Sequence, residues 1–204
     1  MKKIAIYCGS SAGPNEIYRT QAAKLGRYLA EKRIHVIFGG GKVGMMGILA
    51  DAALEAGGEV TGVIPGFLHV KEVAHSGLTE LITVETMHAR KALIEKMCDG
   101  AIALPGGFGT MDELFEMLTW GQLGLHDKPV GILNTNGFYK EILSAVDRMV
   151  NEGFLKDLNR DMVLVSDSIE ELVERMQSYA PPKVRKWIMD GDPNNIIPFN
   201  GVQP

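Results

Sequence analysis

Short apolar runs alternate with longer amphipathic stretches along the chain. Runs rich in Ile and Val fall at residues 3 to 8, 34 to 38, 59 to 64, 79 to 84, 100 to 104, 129 to 133 and 162 to 165, separated by helix-length segments. This exchange of strand and helix signals predicts βαβ units. Val130-Gly131-Ile132-Leu133 and Met162-Val163-Leu164-Val165 are nearly continuously apolar, which fits a parallel sheet covered on both faces. Met111, Leu114, Phe115 and Leu118 recur at i, i+3, i+4 and i+7, so the helix they form is expected to pack its stripe on the sheet. Residues 66 to 77 are the least regular internal stretch and read as a loop. The last helix, at 168 to 179, stops before Pro181-Pro182. The expected fold class is α/β: a single domain over residues 1–180 with a mostly parallel sheet and helices on both faces. Residues 181–204 form a tail without sustained periodicity.

The strand at 100 to 104 runs into Pro105-Gly106-Gly107-Phe108-Gly109-Thr110 and then into a helix. Without a Cβ, Gly106, Gly107 and Gly109 let backbone N–H groups approach an anion. The helix start adds free N–H groups and a partial positive charge. Thr110 reads as the N-cap and Glu113, three residues on, as a first-turn residue beside the ligand. Glu113 is then either a working carboxylate or the second half of a capping box that satisfies backbone donors. Pro105 and three glycines are more punctuation than a cap requires, which favours the first. Two further strand ends carry small residues, Cys8-Gly9-Ser10-Ser11-Ala12-Gly13 and Phe38-Gly39-Gly40-Gly41-Lys42-Val43-Gly44. In an open parallel sheet such turns gather at the carboxyl ends of the strands, so the three are expected to form one phosphate and ribose site.

Rival nucleotide motifs fail on their own requirements. Gly39-x-Gly41-x-x-Gly44 matches the dinucleotide fingerprint, but that fold needs a carboxylate roughly 20 residues on. Val63-Ile64-Pro65-Gly66-Phe67 supplies none. Gly41-Lys42 is followed by Val43 where a kinase-type phosphate loop needs Ser or Thr. A net charge of -4 with scattered Lys and Arg offers no basic stripe for nucleic acid. Cys8 and Cys98 stand far apart without a CxxC or His companions, so neither a disulfide framework nor a metal site is expected. The apolar run Ile4-Ala5-Ile6-Tyr7-Cys8 is too short for a signal peptide, and no segment is long enough to cross a membrane. A cytoplasmic protein with a small-molecule ligand is the expectation.

Residues 85 to 97 read as a helix capped near Thr86. Met87, Leu93, Ile94 and Met97 form one apolar stripe, and Arg90 projects from its centre. An unpaired buried charge is very costly, so Arg90 must meet an anion. A bound phosphate or Glu113 suits a guanidinium best, because it grips both bidentately. The plainer alternatives are another protein carboxylate, or stem packing with a snorkelling head. Lys91 falls nearer the edge of the stripe, where a solvated charge is the plain reading.

Met87-His88-x-Arg90-Lys91 with Pro105-Gly106-Gly107-x-Gly109-Thr110-x-x-Glu113 resembles the paired signature of the LOG family, the cytokinin riboside 5'-monophosphate phosphoribohydrolases. Bacterial members of that family were long labelled lysine decarboxylases. The resemblance covers about the first 180 residues and includes the turns after Cys8 and Phe38. It implies a modified Rossmann fold and a homodimer. It also implies hydrolysis of a nucleoside 5'-monophosphate to a free base, adenine or its N6-modified cytokinin forms, and ribose 5-phosphate. No metal or other cofactor is implied. By resemblance Arg90 and Glu113 are catalytic, Gly107, Gly109 and Thr110 hold the phosphate, and Glu72, Lys91 and Thr119 surround the nucleotide. Gly9, Ser10, Gly40, Gly41, Gly106 and Phe108 complete the substrate-binding set. Asp112 stands where many relatives have a second Glu, which leaves Glu113 intact.

The residue types suit that chemistry. Cleaving a purine from ribose leaves positive charge on the sugar, which a carboxylate such as Glu113 stabilises while it orients water. Decarboxylation usually relies on pyridoxal phosphate bound to a lysine, and no lysine is marked for it. The alternative class is a non-catalytic nucleotide or cofactor carrier, like the molybdenum cofactor carriers related to the family; retention of both Arg90 and Glu113 favours the enzyme. Met45, Met46, Met117 and Trp120, close to the motifs, read either as an adaptable apolar interface or as plain core.

Overall fold

All seven apolar runs are strands: β1 Lys3–Tyr7, β2 His35–Phe38, β3 Val60–Pro65, β4 Glu80–Val84, β5 Gly100–Ala103, β6 Val130–Leu133 and β7 Val163–Ser166. The computed structural model, which describes residues 1–71 and 74–182, arranges them in one parallel sheet of order β4-β3-β2-β1-β5-β6-β7. Parallel neighbours need crossovers. These are supplied by α1 Glu16–Glu31, α2 Gly44–Glu55, α3 Gly66–Lys71, α4 Met87–Met97, α5 Phe108–Gln122, α6 Lys140–Asn151 and α7 Asp157–Arg160, and α8 Ile169–Gln177 follows the last strand. The chain winds outward from β1 to β4, returns to the other side of β1, and winds outward again. Ile4 accordingly sits in register with Val36 of β2 on one side and Gly100 of β5 on the other. The connections leaving β1 and β5 diverge, and that reversal opens the crevice where such sheets take ligands.

Both faces of the sheet are covered, as the unbroken apolar strands predict. Ile4 and Ile6 of β1 join the layer of α1, α2 and α8, while Ala5 and Tyr7 join the layer of α4 and α5. Leu29 and Leu49, both fully buried between α1, α2 and the sheet, contribute about 2 kcal/mol each. Such burial lets the carboxyl edge hold groups that cost stability.

The segment 66 to 77 departs from its expected loop. It opens with α3, whose six residues are too few to show a helical period in the sequence. Beyond it Ala74 bridges Gly41, and the His75 amide donates to the Gly40 carbonyl at 3.1 Å. Ser168 caps α8 through its side chain, close to the expected start. Residues 183–204 of the tail lie outside the described residues. No helix among the described residues is long and apolar enough to cross a membrane.

Candidate active site

Gly9 ties the three glycine turns together. Its amide donates to the Pro105 carbonyl at 3.1 Å, and its carbonyl accepts from the Met45 amide of α2 at 3.2 Å. The turns after β1 and β5 and the start of α2 thus meet at one residue. A Cβ on Gly106 would overlap the Thr110 hydroxyl and press on the Gly9 amide, so only glycine permits the approach. Gly40 and Gly41 are held from the other side by residues 74–77, whose His75 is anchored to Asp51 of α2 at 2.8 Å.

Arg90 points inward from α4, whose cap Thr86 accepts the Ala89 amide. Its Nη1 lies 2.9 Å from Glu113 Oε1 and its Nε donates to the Val63 carbonyl of β3 at 3.1 Å. The other terminal nitrogen occupies the space that a side chain on Gly39 would need. Of the partners the sequence left open, Glu113 is the one taken, and the two side chains are only 13% and 10% exposed. Burial pushes the Glu113 carboxyl up and the Arg90 guanidinium pulls it back, with a net result above the ordinary glutamate range. The outcome is a fixed carboxylate that is more basic than usual. Nearby Cys8 is no competitor, because burial, with the Glu113 charge adding to it, holds its thiol far above the ordinary range.

The start of α5 differs from the expected one. The helix begins at Phe108, and its cap is Gly107 at φ -94 and ψ -153, which has no side chain to offer. Thr110 is therefore inside the first turn rather than the cap, Glu113 falls in the second turn, and no capping box forms. Side chains of Asn15, Thr86 and Ser168 accept first-turn amides at α1, α4 and α8. At α5, as at α2, α6 and α7, the cap residue offers those N–H groups no side-chain acceptor. The Thr110 hydroxyl, facing Gly106, makes no hydrogen bond with the described residues. A Cβ at Gly107 or Gly109 would meet nothing within 4 Å among the described residues. Packing does not require these glycines, and the space beside them is open.

Lys91 is not a solvated charge. It is 12% exposed and bridges Asp112 at 3.1 Å and Glu116 at 2.9 Å. Burial alone would lower its pKa, but the hydrogen bonds to the two carboxylates outweigh that and raise it. Adjacent residues of α4 thus each grip α5. Thr119 sits elsewhere: six residues beyond Glu113, about 9 Å along the axis, it donates to the Phe115 carbonyl. It lines an open groove of about 440 Å³ on the outer side of α5 with Met111, Asp112, Phe115, Glu116 and Trp120. Phe115, expected on the core stripe, faces this groove, and Leu114 and Met117 take the core positions. Met45 and Met117 prove to be core, each 2% exposed. Phe108, at 96% exposure, stands at the mouth of the glycine turn, and Ser10 is also exposed. Glu72 lies outside the described residues. The roles of Val63 and Gly39 in seating Arg90 were missed, since a backbone carbonyl leaves no sequence signal and Gly39 reads as a fingerprint glycine.

Fold and site define the class: a Rossmann-like α/β protein whose sheet edge joins an uncapped helix start to a buried Arg–Glu pair. Its fold is similar to that of the Moco carrier protein from Chlamydomonas reinhardtii, with a TM-score of 0.65 and 21% identity over 87% of this chain and 96% of that one. Residues 46–176 match the family model described as possible lysine decarboxylase. The chain is 42% identical over 180 residues to the cytokinin riboside 5'-monophosphate phosphoribohydrolase LOG5 of Arabidopsis thaliana, covering 88% of this chain and 79% of that relative. A probable member of the same group from Oryza sativa subsp. japonica is 40% identical over 194 residues, 93% of this chain and 80% of that one. The chain belongs to this family, the LOG phosphoribohydrolases.

Seating Arg90 against Gly39 has a measurable consequence. Gly39→Ala places a methyl group where the guanidinium lies, and the forced shift should lower stability by about 2 kcal/mol in urea melts. In an Arg90→Ala background the clash is gone, and the same change should cost far less. Equal losses in both backgrounds would show that Arg90 does not dictate the glycine.

Proposed function

We propose that the protein hydrolyses the N-glycosidic bond of adenosine 5'-monophosphate and its N6-substituted forms, releasing the free base and ribose 5-phosphate. One observation carries this reading: the uncapped start of α5 and the buried, ion-paired Glu113 lie on the same helix, about 7.5 Å apart along its axis. That is the scale of a ribose 5-phosphate unit. The family relatives, which are named for riboside 5'-monophosphates, support the same substrate class.

The 5'-phosphate seats on the first-turn amides of α5 and the Thr110 hydroxyl, beside Gly106, Gly107 and Gly109. Binding there touches no reacting bond, so its energy goes into positioning the sugar. As the bond from C1' to the base breaks, positive charge builds on the ribose ring and Glu113 stabilises it. Glu113 also orients a water whose oxygen bonds to C1', and takes up a proton from it, while the base leaves with the electron pair of the broken bond. Arg90 holds Glu113 ionised and in one orientation. Lys91 fixes Asp112 and Glu116 on the same helix, and Gly9, Ser10, Gly40 and Gly41 line the crevice around the ribose. Phe108 stands over the mouth of the glycine turn, whereas Thr119 belongs to the outer groove of α5. Both binding and chemistry belong to one domain, residues 1–180. A carrier would share this fold, but it has no need of a buried carboxylate held by arginine next to the anion seat.

Two copies pair through the outer side of α5, where the exposed Phe115 lines the groove with Met111 and Trp120. Two free, buried thiols suit the reducing cytoplasm. Sedimentation at micromolar concentration should give a dimer, and Phe115→Glu should shift it toward monomer. A monomer of 22.2 kDa at all concentrations would remove this interface.

The phosphate seat is tested by comparing adenosine 5'-monophosphate with adenosine. The nucleotide should be cleaved with ribose 5-phosphate as product and the nucleoside far more slowly. Gly107→Ala should leave the melting temperature unchanged, since its methyl meets nothing among the described residues. It should raise the KM for the nucleotide roughly tenfold by crowding the anion. Equal rates on nucleotide and nucleoside would remove the phosphate role from this turn.

A further inference from the structure

A buried tyrosine outside both signature motifs supports the glycine turn from below. β6 leads through a 3-10 turn at Thr135–Gly137 into α6, and Tyr139 stands at the junction, fully buried. Its hydroxyl donates to the Leu104 carbonyl at 2.7 Å. Leu104 is the residue where the chain leaves the sheet: the last register pair between β5 and β6 is Ala103 with Ile132. The Leu104 amide still donates to the Tyr7 carbonyl at 2.9 Å, but its own carbonyl has passed beyond the ladder and needs another donor. Tyr139 supplies it. Pro105 follows with no N–H, and its carbonyl takes the Gly9 amide at 3.1 Å. The two carbonyls ahead of the glycine turn are thus held by one side chain and one backbone amide, and Gly106 is oriented by what precedes it.

Tyr139 is itself firmly held. Its amide donates to the Asn134 side-chain oxygen at 2.8 Å, and the Asn134 amide donates to the Ser166 carbonyl of β7 at 2.8 Å. Its ring meets Phe138 edge-on at 5.1 Å, and Phe138 meets Tyr18 of α1 at 6.0 Å. Burial, with the neighbouring Cys8 adding to it, keeps the phenol far above its ordinary range, so the hydroxyl retains its proton and remains a donor.

We propose that Tyr139 is a positioning residue for the anion seat: through the Leu104 carbonyl, its hydroxyl sets the orientation in which the turn at 106–109 presents its amides to a 5'-phosphate. The identity of the anion rests on the phosphoribohydrolase reading above, while the pin itself does not. Tyr139→Phe keeps the ring packing and leaves the Leu104 carbonyl without its donor. The control is Ile132→Val, which trims the adjacent strand and spares every hydrogen bond of the turn.

Amide hydrogen exchange of the ligand-free proteins should show residues 104–110 exchanging faster in Tyr139→Phe than in wild type or in Ile132→Val, with β2 unchanged. With adenosine 5'-monophosphate, Tyr139→Phe should raise KM about fivefold to tenfold with kcat within about twofold, and the Kd of ribose 5-phosphate should rise in parallel. Wild-type exchange at 104–110 in Tyr139→Phe would overturn the proposal, as would an equal KM rise in Ile132→Val. A wild-type protein that leaves the nucleotide uncleaved would defeat the phosphoribohydrolase reading instead, and the exchange comparison would still decide whether Tyr139 sets the turn.

Discussion

The ion pair between Arg90 and Glu113 is the interaction around which the carboxyl edge of the sheet is arranged. Four elements contribute to it. α4 delivers the guanidinium, β3 accepts from its Nε through Val63, the turn after β2 leaves room for it at Gly39, and α5 brings the carboxylate. Removing one partner of such a pair strands a buried charge, which typically costs 3–5 kcal/mol. The pair is nevertheless poor as a stabilising device, because desolvation offsets most of the attraction. Glu113 shows this directly: burial outweighs Arg90, and the carboxyl stays above its ordinary range. A carboxylate in that condition has an unmet demand for positive charge. A sugar ring developing such charge in a transition state would meet it.

The proposed function divides binding and chemistry between backbone and side chain on a single helix. The proposed anion seat consists of amides and one hydroxyl, with Gly107 capping α5 where a serine or asparagine would have satisfied the first turn from within. The carboxylate proposed for the chemistry sits in the second turn, where packing against α4 fixes it. Lys91 extends the same grip to Asp112 and Glu116, so α5 cannot rotate without breaking contacts with both cations. Distance along α5 would then set the separation between the proposed phosphate seat and the carboxylate.

Local patterns carried the fold and half of the site. Seven strands were legible because buried parallel strands leave continuous apolar runs, and Arg90 was legible because it interrupts an apolar stripe. Thr110 was misplaced because capping rules look for a side chain, whereas Gly107 ends the loop in an extended conformation and leaves the first turn bare. Lys91 and Phe115 were misjudged for a shared reason. Whether a helical residue faces core, neighbour or solvent depends on the helix packed beside it, and the carboxylates that hold Lys91 lie some twenty residues away on α5. α3 was too short to show a period. Tyr139 gave no signal at all, since its partner is the backbone carbonyl of Leu104, just past β5.

The pH dependence of kcat for wild type and Glu113→Gln tests the central claim most directly. Glutamine keeps the size and a hydrogen-bonding oxygen for Arg90 but not the charge. Wild type should lose activity as pH falls through a midpoint above the ordinary carboxyl value of 4.5, because Glu113 must be ionised to work. The variant should be slower on the plateau by roughly 10² or more, with no such limb and a KM close to wild type. Hydrolysis by Glu113→Gln at the wild-type rate, with the same acid limb, would contradict the account and leave the buried carboxylate without a chemical role.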